Sequence, residues 1–410
     1  MHETMNAKQI IETEHRVHLQ TYTRSEVVFS RGKGVYLYDT DGRPYLDFVA
    51  GIAVNALGHC DEHLQRAISE QAARLWHCSN LYYSEPQVRL AQMLVENSFA
   101  DKVFFCNSGT EAIEGAIKIA RKWAAVNKGK HCFEIIAFHR SFHGRTMGAL
   151  SATGQTKYWE GFQPMLPGFQ FASFNDLTDV EHRIGPGTAA ILVEPVQGEG
   201  GIYPAEQNFL QGLRDLCHRH QCLLMLDEIQ CGLGRTGKLF AYEHYGIQPD
   251  ILALAKPLAA GLPMGAILMT NAVAEAIRPG DHGSTFGGGP LVAHVATQTI
   301  TRILDPALLE HVAQNGRYLI SQLAERLASF EEVTAIRGLG LMIGIDIELD
   351  VKQIITTCLK NGLIIARAGE NTLRLTPPLI VEQSQIDEAI EKLILSIQSV
   401  RGKNGSKSEN

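Results

Sequence analysis

The middle of the chain alternates short apolar runs with longer amphipathic stretches. Four of the runs have the length and the continuous apolar character of buried strands: 102–105, 134–138, 189–193 and 223–226. Two of the stretches between them have helical periodicity: 111–126 and 208–220. Strands that alternate with helices are typical of βαβ units, whose strands lie parallel in a sheet covered on both faces. The pattern therefore predicts an α/β domain around a mostly parallel sheet.

The two ends of the chain follow different patterns. Near the start, residues 35–38 and 45–48 flank an Asp-Thr-Asp-Gly turn, which predicts a β-hairpin. After about residue 285 the pattern changes to long helices, at 290–303 and 308–327, with strands expected within 333–345 and at 373–375. We expect four segments: an N-terminal segment with the hairpin that is part of a small lobe (1–60), a large domain (61–284), a small C-terminal α+β domain (285–401) and a polar, disordered tail (402–410).

Composition and charge narrow the functional classes. The chain has 410 residues, 45% of them hydrophobic, and a formal net charge of -7. A mildly acidic chain with scattered basic residues gives no sign of nucleic-acid binding. No apolar run has the roughly 18–20 residues that a membrane span needs. Residues 1–18 lack the apolar core of a secretory signal, and the eight cysteines form no Cys-x-x-Cys pair, so we expect a cytoplasmic protein with reduced thiols.

Two familiar kinds of site are disfavoured by their spacing or context. The cluster Cys217-His218-Arg219-His220-Gln221-Cys222 fits no zinc pattern, and His139-x-x-x-His143 lacks the glutamate of the zinc-protease motif. We therefore expect no metal site. Gly32-Lys33-Gly34 is followed by a predicted strand rather than a helix, so it does not meet the context of a dinucleotide-binding loop.

Polar motifs follow several of the predicted strands, where parallel sheets place their active sites. Residues 106–112 form a small-residue turn into a helix, which is either an anion site or an ordinary helix cap. Asp227 comes directly after a buried strand and needs a positive partner, such as a protonated pyridine nitrogen. A helix cap or a metal ligand would also explain it. The loop 194–201 combines two carboxylates with glycines, and it is either a ligand-binding loop or a solvated turn.

Lys256 follows the apolar run 252–255. Partial desolvation there would lower the pKa of its amine and favour Schiff-base chemistry, whereas an isolated lysine is more often a snorkelling surface residue. Taken together, the three strand ends supply an anion cup, a carboxylate and a lysine. A phosphorylated pyridine that carries an aldehyde needs these three groups.

The motifs in combination resemble those of class III, fold-type I aminotransferases that depend on pyridoxal 5'-phosphate (PLP), in the acetylornithine/succinylornithine group. The resemblance runs from about Tyr22 to about Leu395. It is carried by Ser-Asn-Leu-Tyr-Tyr (79–83), Asn-Ser-Gly-Thr-Glu-Ala (107–112), Ser-Phe-His-Gly-Arg-Thr (141–146), Glu-Pro-Val-Gln-Gly-Glu-Gly (194–200), Leu-Asp-Glu-Ile-Gln (226–230), Ala-Lys (255–256), Ser-Thr-Phe-Gly-Gly (284–288) and Leu-Arg-Leu-Thr-Pro-Pro (373–378). The implied fold is a large domain with a mostly parallel sheet that binds PLP, plus a smaller α+β domain.

The resemblance also implies roles for matching residues. Lys256 would hold PLP as a Schiff base and shuttle the proton, and Asp227 would pair with the pyridine nitrogen. Thr285 would complete the phosphate site of the neighbouring subunit, so a homodimer with shared active sites is expected. The other implied cofactor-binding residues are Ser108, Gly109, Thr110, Phe142, His143, Ile229 and Gln230. The other implied substrate-binding residues are Tyr22, Asn80, Arg145, Glu199, Ser284 and Arg374.

The implied reaction moves the ω-amino group of N2-acetylornithine to 2-oxoglutarate, in arginine biosynthesis. Arg145 would bind the α-carboxylate of the amino donor, and Arg374 that of glutamate or 2-oxoglutarate. Glu199 would neutralise Arg374 while the ω-amino donor is bound. Succinylornithine, ornithine, 4-aminobutyrate and other ω-amino donors are alternatives, as are a PLP decarboxylase or aminomutase and a protein that keeps the fold without catalysis.

Two departures from the family pattern lie near the expected cofactor site. After the lysine the family usually has Gly-Leu-Gly-Gly, whereas this chain has Pro257-Leu258-Ala259-Ala260. A proline disfavours the helical region for the residue before it, so Lys256 is expected to have an extended backbone. The second departure is Gly289, where the family usually has asparagine.

Overall fold

A computed structural model describes residues 5–405 of the chain. The strands are β1 (Phe29–Lys33), β2 (Tyr36–Asp39), β3 (Pro44–Asp47), β4 (Lys102–Cys106), β5 (Glu134–Phe138), β6 (Phe169–Ala172), β7 (Thr188–Val193), β8 (Val196–Gln197), β9 (Tyr203–Pro204), β10 (Leu223–Asp227), β11 (Ile251–Leu254), β12 (Gly265–Met269), β13 (Val333–Leu339), β14 (Met342–Ile347), β15 (Leu363–Ile364), β16 (Ala366–Ala368) and β17 (Thr372–Leu375).

The α-helices are α1 (Ala7–Val17), α2 (Ala50–Ala53), α3 (Glu62–Ala72), α4 (Glu85–Glu96), α5 (Gly109–Asn127), α6 (Met147–Ala152), α7 (Leu177–Arg183), α8 (Gln207–His220), α9 (Asn271–Ala274), α10 (Pro290–Ile303), α11 (Pro306–Arg326), α12 (Val351–Lys360) and α13 (Gln383–Gly405). Short 3₁₀ turns lie at Thr156–Tyr158, Ala241–His244 and Lys256–Ala259. None of the described helices is long and apolar enough to cross a membrane.

A seven-stranded sheet forms the centre, in the order β4-β12-β11-β10-β7-β5-β6. The neighbours β11, β10, β7, β5 and β6 pair in parallel, and β12 runs antiparallel to both β11 and β4. Every residue of β7, β10, β11 and β12 is buried, because helices cover both faces of the sheet. The predicted α/β domain with a mostly parallel sheet is confirmed, and β12 is the antiparallel exception.

Helix α5 shows how the sequence sets the position of a helix against this sheet. Ser108 caps the helix by accepting a bond from the Glu111 N–H (3.2 Å), and the Glu111 carboxylate accepts one from the Asn107 N–H (3.0 Å). Its buried face includes Ile113 and Ile117, which pack against the sheet. The N-terminus of α5 therefore lies directly after β4, at the edge where the parallel strands end.

Two four-stranded sheets are built from the ends of the chain. The first, in the order β13-β14-β17-β16, is antiparallel and carries Arg374 on β17. In the second, β1-β2-β3-β15, the N-terminal hairpin receives β15 as a parallel strand, with Leu363 beside Leu46. This pairing is what we would expect if segment 1–60 belongs to a small lobe, although the domain division stays a prediction.

The C-terminal part agrees with one expectation and differs from another. The strands expected within 333–345 are β13 and β14, and the chain turns back between them at Gly340, whose φ of +57° favours glycine. The helix α13 runs on through Gly402 to Gly405, whereas disorder was expected from 402. A helix that has already formed adds residues without a new nucleation step. The rest of the predicted disordered tail, 406–410, lies outside the described residues.

Candidate active site

A cavity of about 420 Å³ opens where β4, β10 and β11 end and where β12 begins. Eleven of the residues named from the sequence line it: Ser108, Gly109, Thr110, Phe142, His143, Arg145, Glu199, Asp227, Ile229, Gln230 and Lys256. Residues about 150 positions apart in the chain, such as Ser108 and Lys256, meet here. They do so because parallel strands end at the same edge of the sheet.

Lys256 lies in the cavity wall, at the start of the 3₁₀ turn that follows β11. Its φ is +38°, so the expected extended backbone is wrong. The turn is closed by a bond from the Leu258 N–H to the Ala255 carbonyl (2.9 Å), and the buried surroundings hold Lys256 in a conformation that its neighbour Pro257 disfavours. Ala260 ends the turn with a left-handed φ of +47°.

The environment of Lys256 makes its ammonium form less stable than it is in water. Burial lowers its pKa to about 8; the negative charge of Glu199 opposes this shift and the positive charge of Arg374 adds to it. Asp227 and Glu194 also act to raise the pKa, but burial outweighs them. An amine with this pKa is partly unprotonated near neutral pH, which a nucleophilic or proton-accepting lysine requires.

Asp227 is the last residue of β10 and is only 4% exposed. One of its carboxylate oxygens accepts the Ile229 N–H (3.0 Å), and the other lies 2.7 Å from Nδ1 of the buried His143. Burial acts to lower the pKa of His143, but the hydrogen bond and the charge of Asp227 outweigh it and raise the pKa. The His143 ring therefore fixes the orientation of a carboxylate that faces the cavity.

Glu194 bridges two loops near the Asp227–His143 pair. Its side chain accepts the N–H of Phe142 (3.1 Å) and that of Gly198 (3.1 Å). Burial raises its pKa to about 7, with the charge of Asp227 adding to the effect and that of His143 opposing it. Glu194 thereby connects the loop that carries Phe142 to the loop that carries Glu199. The sequence identified its motif but not this bridging position.

The first turn of α5 forms an anion cup. The N–H groups of Gly109 and Thr110 precede the first bond within the helix, which joins Ala112 N–H to the Ser108 carbonyl (3.0 Å). The Thr110 hydroxyl accepts bonds from the backbone N–H groups of Arg145 and Thr146 (3.1 Å each), so it also fixes the opposite loop. Gly265 lies so close to this turn that a side chain would not fit, since a Cβ there would lie 2.5 Å from the Ser108 carbonyl oxygen.

A carboxylate of the cavity wall meets a guanidinium of the C-terminal sheet. Glu199 forms an ion pair and hydrogen bond with Nη1 of Arg374, and the Gln230 side-chain oxygen lies 3.3 Å from the same nitrogen. Arg374 is buried, and its Nε has no hydrogen-bond partner in the described part of the chain. Burial acts to raise the pKa of Glu199, but Arg374 outweighs it and the pKa is lowered. Glu199 is thus held ionised beside Arg374.

Arg145 lines the cavity itself, and it is exposed. Its guanidinium lies 4.0 Å from the ring centroid of Tyr158 and 5.5 Å from that of Phe142. It has no carboxylate partner among the ion pairs of residues 5–405. Stacking on two aromatic faces therefore holds a cation that is free to accept a substrate carboxylate.

Five residues that the sequence assigned to the site are not among those that line this cavity. Arg374 reaches it only through Glu199 and Gln230, which do line it. Tyr22 is exposed and stacks with Arg24. Asn80 donates to the carbonyls of Ser284 and Gly287 (3.0 Å each), and it lines a small separate pocket that also includes Thr285. Ser284 reaches the cavity wall indirectly, since its hydroxyl accepts a bond from the side chain of Asn107 (3.1 Å). The roles of these five residues stay predictions.

Sequence reasoning missed part of the apolar wall. Val54 and the segment 261–264 line the cavity, although Val54 lies near the N-terminus and 261–264 follows the lysine motif. An apolar residue in a loop carries no chemical signature, so only the folded chain reveals this part of the wall. Within residues 5–405, no group of three or more His, Cys, Asp or Glu side chains is arranged to hold a metal ion.

Known proteins resemble this chain over nearly its whole length. A family model described as Aminotransferase class-III matches residues 19–397. The acetylornithine aminotransferase of Clostridium acetobutylicum is 46% identical over 91% of this chain and 96% of its own. The succinylornithine transaminase of Yersinia pestis bv. Antiqua (strain Angola) is 45% identical over 93% of this chain and 94% of its own. A structure of ornithine aminotransferase from Toxoplasma gondii, described with partial occupancy of PLP at its active site, superimposes with a TM-score of 0.94 at 32% identity, covering 97% of this chain and 95% of the other.

Proposed function

The chain belongs to the class-III aminotransferases, which are PLP-dependent fold-type I enzymes, and from that premise we propose that it transfers the ω-amino group of N2-acetylornithine to 2-oxoglutarate. The products would be N-acetylglutamate 5-semialdehyde and glutamate, as in arginine biosynthesis. The observation that carries the proposal is the Glu199–Arg374 pair beside Lys256, because it suits one cavity to two unlike amino donors. Succinylornithine is the second candidate donor, since a succinylornithine transaminase is almost as similar.

The cavity suits PLP in shape and in chemistry. The N–H groups at Gly109 and Thr110 would hold its phosphate, and Asp227, held by His143, would pair with its pyridine nitrogen. Phe142 and Ile229 would contact its ring, with Ser108 and Gln230 nearby. When bound, PLP supplies an electrophilic carbon and an electron-withdrawing ring. Lys256 Nζ would attach the cofactor and then, as a free amine, accept the proton from the substrate carbon that bears the nitrogen.

The paired arginine explains how the cavity could accept both donors. Acetylornithine has no carboxylate next to its reacting carbon, whereas glutamate does. An unpaired, buried Arg374 would be strongly unfavourable when acetylornithine is bound, and Glu199 prevents that. When glutamate binds, its carboxylate would replace that of Glu199. Arg145, which is free of ion pairs within the described residues, would bind the α-carboxylate of acetylornithine.

The test of the proposal is a donor panel with 2-oxoglutarate as acceptor: acetylornithine, succinylornithine, ornithine and 4-aminobutyrate. We expect acetylornithine to have the highest kcat/KM. A preference of more than about tenfold for ornithine or 4-aminobutyrate, or about 1.4 kcal/mol in transition-state binding, would contradict the substrate assignment. Glutamate formation, measured in the same reactions, separates transamination from decarboxylation or isomerisation.

We also propose a homodimer with shared active sites. Support comes from apolar side chains that are exposed in the single chain, including Trp76, Leu81, Tyr83 and Phe286. Thr285 lies next to Phe286, on the surface that a second copy would cover. In the dimer its hydroxyl would contact the phosphate of the PLP bound by the second copy. A cytoplasmic location is proposed as well, since the described cysteines are all free thiols, as in a reducing compartment.

A further inference from the structure

The loop that carries Glu199 is bonded to the C-terminal sheet as well as to the large sheet. The Gly369 N–H, between β16 and β17, donates to the Glu199 carbonyl (2.7 Å). At the other end, Glu194 accepts the Gly198 N–H (3.1 Å). The backbone on both sides of the Glu199 side chain is therefore held, and its position depends on both sheets.

Arg337 makes the largest set of contacts between this loop and the C-terminal sheet. From β13, its Nε donates to the carbonyls of Gly201 (3.1 Å) and Ile202 (3.0 Å), and its Nη2 also bonds to Gly201. The other edge of the guanidinium forms a two-point ion pair with Asp346 on β14 (2.6 and 2.8 Å). Asp346 also accepts a bond from the hydroxyl of Thr372, two residues from Arg374 on β17.

Close packing reinforces these bonds. The guanidinium of Arg337 lies 3.8 Å from the ring centroid of Tyr203, which follows the loop. Gly344 on β14 leaves space for the loop, because a Cβ there would lie 2.9 Å from Cβ of Ile202. Gly344 is also the register partner of both Arg337 and Arg374. The loop therefore packs against β14, and β14 pairs with the strand that bears Arg374, so the three segments form one continuous packed unit.

We propose that Arg337 is a positioning residue that holds the Glu199 loop against the sheet bearing Arg374 and so keeps Glu199 paired with Arg374. This inference rests on the function proposed above, in which that pair allows binding of a donor without a carboxylate at its reacting carbon. Loosening the loop would separate the pair and impair that donor. It would leave glutamate, which displaces Glu199 in any case, much less affected.

The chemistry of the site calls for arginine. A planar guanidinium can bond to a carboxylate along one edge and to carbonyl groups along the other. Lysine could keep the charge pair with Asp346 but could not hold both loop carbonyls at the same time. Arg337→Lys therefore removes the contact with the loop while keeping an ion pair with Asp346. It serves as the second variant if Arg337→Gln folds poorly.

The experiment measures single-turnover kinetics of each half-reaction, with acetylornithine and with glutamate, in the holoenzyme. We expect Arg337→Gln and Arg337→Lys to lower the rate constant divided by Kd for acetylornithine about tenfold, the scale of one hydrogen bond to a charged group, and that for glutamate less than about twofold. Hydrogen exchange of the 198–203 backbone should become faster in both variants. The matched control is Arg214→Gln, which breaks a similarly buried pair with Asp250 far from the loop and should change neither half-reaction.

Comparison with Glu199→Gln distinguishes the possible failures. Glu199→Gln should show the same selectivity, and adding Arg337→Gln to it should cause little further loss, because both act through one pair. If Glu199→Gln impairs the two half-reactions equally, the proposed switch is wrong and the inference falls with it. If Glu199→Gln is selective but the Arg337 variants are not, or if the two losses add in full, the switch stands and the role of Arg337 is refuted.

Discussion

The most direct prediction from the site is that Lys256 reacts with PLP as an amine of pKa about 8 rather than about 10.5. Burial causes the shift, because the partly buried wall of the cavity solvates an ammonium ion poorly. The charge of Glu199 raises this pKa and the charge of Arg374 lowers it. Glu199→Gln should lower the pKa further, and Arg374→Gln should raise it.

The size of the effect follows from the fraction of neutral amine. At pH 7 an amine with a pKa of 8 is about 9% neutral, whereas one with a pKa of 10.5 is only about 0.03% neutral. The difference is roughly 300-fold in the reactive form. Covalent attachment of PLP to the apoprotein should therefore be fast at neutral pH, and its rate should stop rising with pH at about 9, well above the midpoint at pH 8.

The assay is the rate at which saturating PLP becomes attached to the apoprotein between pH 6 and 11. Attachment is trapped by borohydride reduction, and the adduct is mapped to Lys256 by mass spectrometry. A midpoint near 10.5 would show that the cavity does not desolvate the amine. Shifts of the midpoint in the same direction for Glu199→Gln and Arg374→Gln would refute the electrostatic account, even if the wild-type midpoint is near 8.

Three further predictions concern backbone, packing and assembly. Ala260 has a left-handed φ, which costs an alanine about 1–2 kcal/mol. Ala260→Gly should therefore lower the free energy of unfolding in urea by at least about 1 kcal/mol less than Ala259→Gly in the same turn. Equal losses in the two variants would contradict this. Gly265→Ala should weaken PLP affinity at least tenfold in equilibrium dialysis, because its Cβ would push against Ser108 at the anion cup; unchanged affinity would show that the cup can yield. Phe286→Asp should convert the proposed dimer to a monomer in sedimentation analysis and abolish transamination, and a stable, active dimer would place the interface elsewhere.

Much of the fold could be predicted from hydrophobic pattern, but the exceptions have physical causes. The helix 290–303 and the strand 134–138 have the predicted bounds, since Pro290 marks a helix start and continuous apolar residues mark a buried strand. The antiparallel direction of β12 could not be read from its sequence, because a strand buried on both faces has the same apolar pattern in either direction.

The site was predictable where residues carry distinctive chemistry and not where they act through geometry. Lys256 and Asp227, which both line the cavity, could be singled out from the sequence because a charged group after a buried strand needs an explanation. The backbone of Lys256 was predicted wrongly, since the local preference set by Pro257 is overridden by the packed surroundings. The contacts of Glu194 and Arg337 join segments that are distant in sequence, and no local pattern announces them.

The parallel pairing of β3 with β15 has a consequence for the order of folding. About 315 residues separate the two strands, so the N-terminal sheet β1-β2-β3 cannot gain β15 as its fourth strand until nearly the whole chain has been synthesised. Until then the edge of β3 is open to any strand that reaches it, including one from another nascent chain. Completion of this small sheet is thus a late event in biogenesis, and the hairpin is where we expect aggregation to start when synthesis stalls or the C-terminal part is truncated.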